Sequence, residues 1–153
     1  MNEMMYKYMK VGIIHFMAFP DTMKGEGPVL ETIRKIALDD YFNAIEITHI
    51  KDKETRKQVK KILDTSHLTV AFGAQPMQLA SGLNINDTDE KERVKAVEMV
   101  KGALDEACEM GASGFAFLSG KYDSEKIDPA YDSLIRSTKE ICLSARCAGP
   151  IRL

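Results

Sequence analysis

Four polar side chains stand within or just beyond short apolar runs of the chain: Glu46, His49, Gln75 and Ser119. A carboxylate at Glu46, inside the run Ala44 to Thr48, could accept a hydrogen bond from a hydroxyl group or be held by a structural partner. His49 follows that run and carries an imidazole able to reach a ligand or a metal, or to stand as a solvated loop residue. Gln75 and the pair Ser119-Gly120 follow two further runs and could donate hydrogen bonds to hydroxyls or a phosphate, although such residues also form turns. His15 lies inside a run whose inward face the residues alone do not fix, a core residue if Gly12, Ile14 and Phe16 face inward, and His67 reads as part of a tight turn. Met17, Met23 and Met77 lie near the same positions, where Met more often fills gaps than lines a pocket.

Those side chains act together only if the chain gathers them. The apolar runs Val11 to Met17, Ala44 to Thr48, Leu68 to Phe72 and Gly114 to Leu118 are rich in β-branched or aromatic residues and read as strands. Each precedes a segment of helical periodicity. Pro28 to Asp40 carries Val29, Ile33, Ile36 and Ala37 on one stripe, and Lys53 to Asp64 starts after an Asp52 cap and buries Val59, Ile62 and Leu63. A third helix runs from a cap at Asn86, Asp87 or Thr88 through Val94, Val97, Val100, Leu104 and Cys108 to Gly111. A fourth starts at Asp128-Pro129 and carries Tyr131, Leu134, Ile135, Thr138, Ile141, Cys142 and Ala145 up to Gly149-Pro150.

Strands that alternate with helices in this way specify an α/β protein with a parallel sheet, because parallel neighbours need a crossover. Helix-to-strand links are tight, whereas Ala18 to Gly27, Gly73 to Asn86 and Ser119 to Ile127 are long. Long loops at the C-terminal strand ends are where α/β folds place binding sites. Along the strands, Ile45, Ile47, Val70, Phe72, Phe115 and Phe117 alternate with Glu46, Thr69, Ala71, Gly73, Gly114 and Ala116. The bulky set suits a helix layer, and the small or polar set suits a barrel interior or ligand cavity. The competing architecture is an open doubly wound parallel sheet, yet no GxGxxG or GxxxxGK[ST] follows any strand.

Composition narrows the partners. With 21 basic and 23 acidic residues interspersed and a net charge of −2, the chain has no electrostatic drive toward nucleic acid or an anionic membrane. Cys108, Cys142 and Cys147 form no CxxC pair and fit small buried thiols in a reducing compartment. Met1 to Lys10 has neither a signal-peptide core nor the length of a span, so a cytoplasmic location is expected.

From Gly82 to Gly120, the residues Leu83-Asn84, Asp87, Arg93, Ala96, Lys101, Ala107, Gly111-Ala112 and Gly120 follow one another at spacings that resemble the xylose isomerase-like barrels of sugar isomerases and epimerases. Val11-Gly12-Ile13 and Phe42-Asn43-Ala44-Ile45-Glu46-Ile47 are similar to that family's first and second strands. The resemblance implies a (β/α)8 TIM barrel, of which this chain holds four consecutive βα units. Residues 1–10 are then an N-terminal extension and 11–153 a half-barrel, with Ile151-Arg152-Leu153 at the expected start of strand five.

The resemblance also implies isomerisation or epimerisation of a sugar or sugar phosphate, a proton moving next to a carbonyl beside a divalent metal (Mn, Mg, Co or Zn). The family's metal ligands come from later strands, so this chain alone is expected to bind no metal and to be inactive. It places Gly12, Ile14 and Phe16 inward, which adds Ile14 and Phe16 to Glu46, His49, Gln75 and Ser119 as candidate substrate contacts. Exposed edges at the first and fourth strands make a self-associating, non-catalytic half-barrel the second expectation. Some family members cleave damaged DNA with early zinc-binding histidines, a third reading that the charge balance disfavours.

Overall fold

The computed structural model describes residues 7–121 and 123–145. Tyr122, Cys147, the Gly149-Pro150 stop and the expected fifth strand at Ile151 to Leu153 lie outside them. Four strands form one parallel sheet: β1 (Gly12–Ile14), β2 (Ala44–Ile47), β3 (Thr69–Gly73) and β4 (Gly114–Ala116). The helices that accompany them over the described residues include α1 (His15–Ala18), α2 (Val29–Ala37), α3 (Lys53–Thr65), α4 (Gln75–Ser81), α5 (Glu90–Glu109) and α6 (Ile127–Ser144).

The strands lie in the order β1-β2-β3-β4, all parallel, with Gly12 opposite Ala44, Ala44 opposite Thr69 and Ala71 opposite Gly114. Right-handed crossovers between successive neighbours carry α2, α3 and α5 to one face, where they cover the bulky strand side chains. A doubly wound sheet must reverse its strand order to cover both faces, and no reversal occurs here. The architecture is therefore four consecutive βα units of a TIM barrel.

Strand alternation sorts the side chains as the bulk of each predicts. Ile45, Ile47, Val70, Phe72 and Phe115 are buried against Ile33, Ile36, Val59, Leu63, Val97, Val100 and Leu104 of the helices. Gly12, Ile14, Ala44, Glu46, Thr69, Ala71, Gly114 and Ala116 occupy the concave face and keep solvent exposure. At the N-terminal end of that face, Lys10 Nζ reaches across to donate to Thr69 Oγ1.

Several expectations are corrected. The first strand ends at Ile14, because His15 turns into a helical turn, with the Phe19 amide donating to its carbonyl at 2.8 Å, and buries its ring. The cap of α5 is Asp89, which accepts from the Lys91 and Glu92 amides at 2.8 and 3.3 Å; Asp87 instead accepts from the Asp89 amide at 2.9 Å. Asp52 caps α3 as expected, accepting from the Thr55 amide at 2.7 Å.

The loop after β3 contains α4, closed by Gly82 in the left-handed region (φ 70°). Val94 on α5 and Tyr131, Ile135 and Cys142 on α6 are exposed, while α6 buries Ile141 and half-buries Leu134 and Ala145 of the predicted stripe together with buried Ser133 and Ser137. Cys142 is a free, exposed thiol and Cys108 is disulfide-bonded, so neither matches the small buried thiol expected.

The joint between α5 and α6 is polar. Arg93, buried, donates to Glu90 at 2.7 and 2.9 Å and to Ser137 Oγ at 3.0 Å, and pairs with Glu140 at 2.9 Å. The Ser137 hydroxyl passes the chain of bonds to the Ile85 carbonyl at 2.6 Å. The Glu90 hydrogen bonds hold the Arg93 guanidinium charged even more firmly than usual.

Candidate functional site

At the C-terminal end of the sheet, Glu46, Gln75 and Phe16 converge on Gly73. From the point a Cβ on Gly73 would occupy, Gln75 Oε1 is 2.5 Å, Glu46 Oε1 2.6 Å and Phe16 Cε1 3.3 Å away. The local sequence explains the meeting. Glu46 projects from the concave face of β2, Gln75 opens α4 directly behind β3, and Phe16 enters from α1 because the chain bends after Ile14. A side chain at position 73 would collide with both oxygens, so glycine is what lets Glu46 and Gln75 close over the end of β3.

Burial raises the Glu46 carboxyl above the usual carboxylate range. Gln75 Oε1 is buried, and no described residue donates to it. Ile14 pairs in register with Glu46 and exposes 39% of its surface on the same face, an apolar neighbour to the carboxyl. The structure thus brings four of the six sequence candidates to one region.

His49 is held differently. Its Nδ1 lies 2.5 Å from Glu106 Oε2 on α5, so the ring is fixed from the helix layer rather than gathered at Gly73. Glu106 is buried, accepts from the Ile50 amide at 2.9 Å and pairs with Arg56 at 3.2 Å, while Arg56 also donates to the Ile50 carbonyl at 2.7 Å. These bonds tie the loop after β2 to α3 and α5. His15 is the core residue expected, with Nε2 2.7 Å from Thr32 Oγ1. Because that hydroxyl donates to the Pro28 carbonyl at 2.8 Å, it accepts from His15, and burial pulls the imidazole pKa down to about 4. His67 Nε2 bonds the Phe42 carbonyl at 2.8 Å, beside the helix-to-strand turn predicted for it.

Ser119 is exposed on the loop after β4, which Gln78, unnoticed in the sequence, and Asn86, read there only as a helix cap, hold in place. Gln78 of α4 bonds both main-chain groups of Leu118, at 2.9 and 2.6 Å. Asn86 packs into the space beside Gly120 (φ 110°) and donates to the Lys121 carbonyl at 2.7 Å. No spacing rule could have marked them, because both act through distant backbone.

A divalent metal does not fit these residues. Among the described residues no group of three or more His, Cys, Asp or Glu side chains converges to hold one, and Glu46 is the single such residue on the concave strand face. Among them, too, no helix is long and apolar enough to cross a membrane.

Comparison with known proteins agrees with the geometry. A crystal structure of a D-tagatose 3-epimerase-like protein superposes with a TM-score of 0.70 at 22% identity, over 90% of this chain and 49% of that one. The D-psicose 3-epimerase of Clostridium cellulolyticum H10, crystallised with D-tagatose, gives a TM-score of 0.60 at 16% identity, over 90% and 48%. An L-ribulose 3-epimerase gives 0.57 at 14%, over 89% and 47%. The chain spans about half the length of these structures, and at such identities the likeness establishes the fold. No curated protein matches the sequence. The family described as xylose isomerase-like TIM barrel matches residues 35–150; with its strand order and single helix layer, the chain belongs to that family.

Proposed function

We propose that this chain is the sugar-holding part of an isomerase- or epimerase-type barrel, with its ligand at the C-terminal rim of β1 to β4. The observation that carries the reading is the convergence of Glu46, Gln75 and Phe16 on Gly73 at the strand ends where TIM barrels bind substrates. Glu46 and Gln75 accept ligand hydroxyls, Ile14 and Phe16 pack on ligand carbons, and Ser119 offers a hydroxyl from the neighbouring loop.

Moving a proton next to a carbonyl from one face of a sugar to the other needs a base on one side and an acid on the other. The concave strand face supplies one titratable side chain, Glu46. Holding the ligand, rather than completing the reaction, is therefore the role assigned to this chain alone. The test is to incubate it with D-tagatose, D-psicose and L-ribulose, with and without added manganese or cobalt. The expected result is binding without turnover; robust epimerisation would refute the division of labour.

A second reading is favoured by the uncovered concave face and by the outer edges of β1 and β4, which no described strand pairs. Such edges invite association between copies of the chain. Sedimentation across a concentration series tests this, with a dimer expected and a monomer at high concentration opposing it.

A further inference from the structure

The two outer edges of the sheet are unlike each other. Beside β4, α6 leans on α5: Arg93 bonds Ser137 at 3.0 Å and Glu140 at 2.9 Å, and Arg136 lies 3.2 Å from Glu90. The flank of α6 turned away from that joint carries Ile127, Tyr131 and Ile135, each one helical turn from the next, and they expose 48%, 63% and 38% of their surfaces. Exposed Cys142 continues the same stripe. Because α5 crosses from β3 to β4, the opposite flank of α6 overhangs the free side of β4. A strand entering there would lie beneath an apolar helix face.

At the other edge β1 has the reverse need. Ile13 stands in register with Ile45 on the helix side of the sheet, yet Ile45 is 1% exposed and Ile13 only half-buried. Each inner strand is covered by the helix of its own unit and the helix of the unit before it, and β1 follows no such unit among the described residues. One edge thus offers an apolar helix flank without a strand, and the other an apolar strand without a second helix. Joining β4 to β4, or β1 to β1, by a two-fold axis runs the strands antiparallel and leaves Ile13 or the α6 stripe bare.

A half-rotation about the barrel axis satisfies both edges at once. It sets β4 of each copy in parallel beside β1 of the other, with Tyr131 and Ile135 over the partner's Ile13, and twice four strands is the number at which this sheet closes. We infer that the occupant of both edges is a second copy of this chain, and that the two copies form one ring around a shared mouth. Glu46 sits on β2, so the partner's Glu46 stands four strands away, on the opposite wall. Each copy supplies the wall that the other lacks. The inference rests on the self-association reading and adds which edges meet, which side chains seal them and what the partner brings to the site.

Sedimentation equilibrium of the whole chain and two variants tests the closure. Ile135→Glu sets a carboxylate over the partner's Ile13, and Ile13→Lys sets an ammonium beneath the partner's Ile135; each alone should weaken the dimer about tenfold or more. An equimolar mixture of the two variants builds a heterodimer with one Glu–Lys junction and one wild-type junction, and should recover most of the lost affinity. If Ile13→Lys fails to fold, nuclear Overhauser contacts between Ile13 and Ile135 methyls in a mixture of labelled and unlabelled wild-type chain decide the matter, and they are expected. A dimer indifferent to Ile135→Glu, a variant mixture no tighter than either variant, or a dimer without those methyl contacts would overturn the closure while leaving self-association standing. A monomer at every concentration would overturn both.

Discussion

Gln78 replaces a missing strand residue for Leu118: its Nε2 donates to the Leu118 carbonyl at 2.9 Å and its Oε1 accepts from the Leu118 amide at 2.6 Å. The ladder between β3 and β4 ends with the Ala74 amide on the Ala116 carbonyl, and the Gln78 side chain continues it by two residues. The loop that carries Ser119 is therefore anchored by α4. Gln78→Leu should destabilise the fold by about 2 kcal/mol, since it strands two main-chain groups. Hydrogen exchange would check it, with loss of protection expected first at Leu118.

Glu106 and His49 separate a structural role from a ligand role. Glu106→Ala leaves Arg56 and the Ile50 amide without their buried acceptor and should cost about 3 kcal/mol. His49→Ala removes one bond to a carboxylate that keeps its other partners and should cost about 1 kcal/mol. Denaturant titration would measure both, and sugar affinity in His49→Ala should equal that of the wild type.

The neutral imidazole of His15 makes stability depend on pH. Its folded pKa of about 4 lies below the 6.5 of a free imidazole side chain, so the unfolded chain binds the extra proton first. Its contribution is present in full above pH 6.5 and is lost as the pH falls toward 4, on the order of 3 kcal/mol. His15→Asn, which can still donate to Thr32, should flatten the stability profile across that window; an unchanged slope would refute the assignment.

Arg93 is buried whereas Glu90 and Glu140 are half exposed, which predicts an asymmetry. Removing both carboxylates strands a buried cation, while removing Arg93 leaves two solvated anions. Thermal melts should rank Glu90→Gln/Glu140→Gln below Arg93→Met, at a separation of several degrees.

The sheet was legible in the sequence because strand alternation and helix stripes report burial directly, as Ile45, Ile47, Val70 and Phe72 illustrate. The family's spacing from Gly82 to Gly120 supplied the half-barrel assignment that periodicity leaves open. What escaped was decided by distant partners. Thr32 captures His15 as the first strand ends, Arg93 and the Ile85 carbonyl draw Ser137 into the joint beside Ile141, and Glu106 draws His49 toward the helices. Within the site, Glu46 and Gln75 were visible from the strand pattern and Ile14 and Phe16 came with the family resemblance, but the part played by Gly73 was not, because it consists of space that two other side chains use.

The central claim is that the chain holds a sugar at the C-terminal end of its four strands. The most direct measurement is a map of backbone amide shifts across the labelled chain during titration with D-tagatose. Shifts clustered at Ile14 to Phe16, Gly73 to Gln75 and Leu118 to Gly120 are the predicted result. Shifts clustered instead at the opposite end, around Val11, Asn43, Leu68 and Ser113, or none at saturating sugar, would contradict the account.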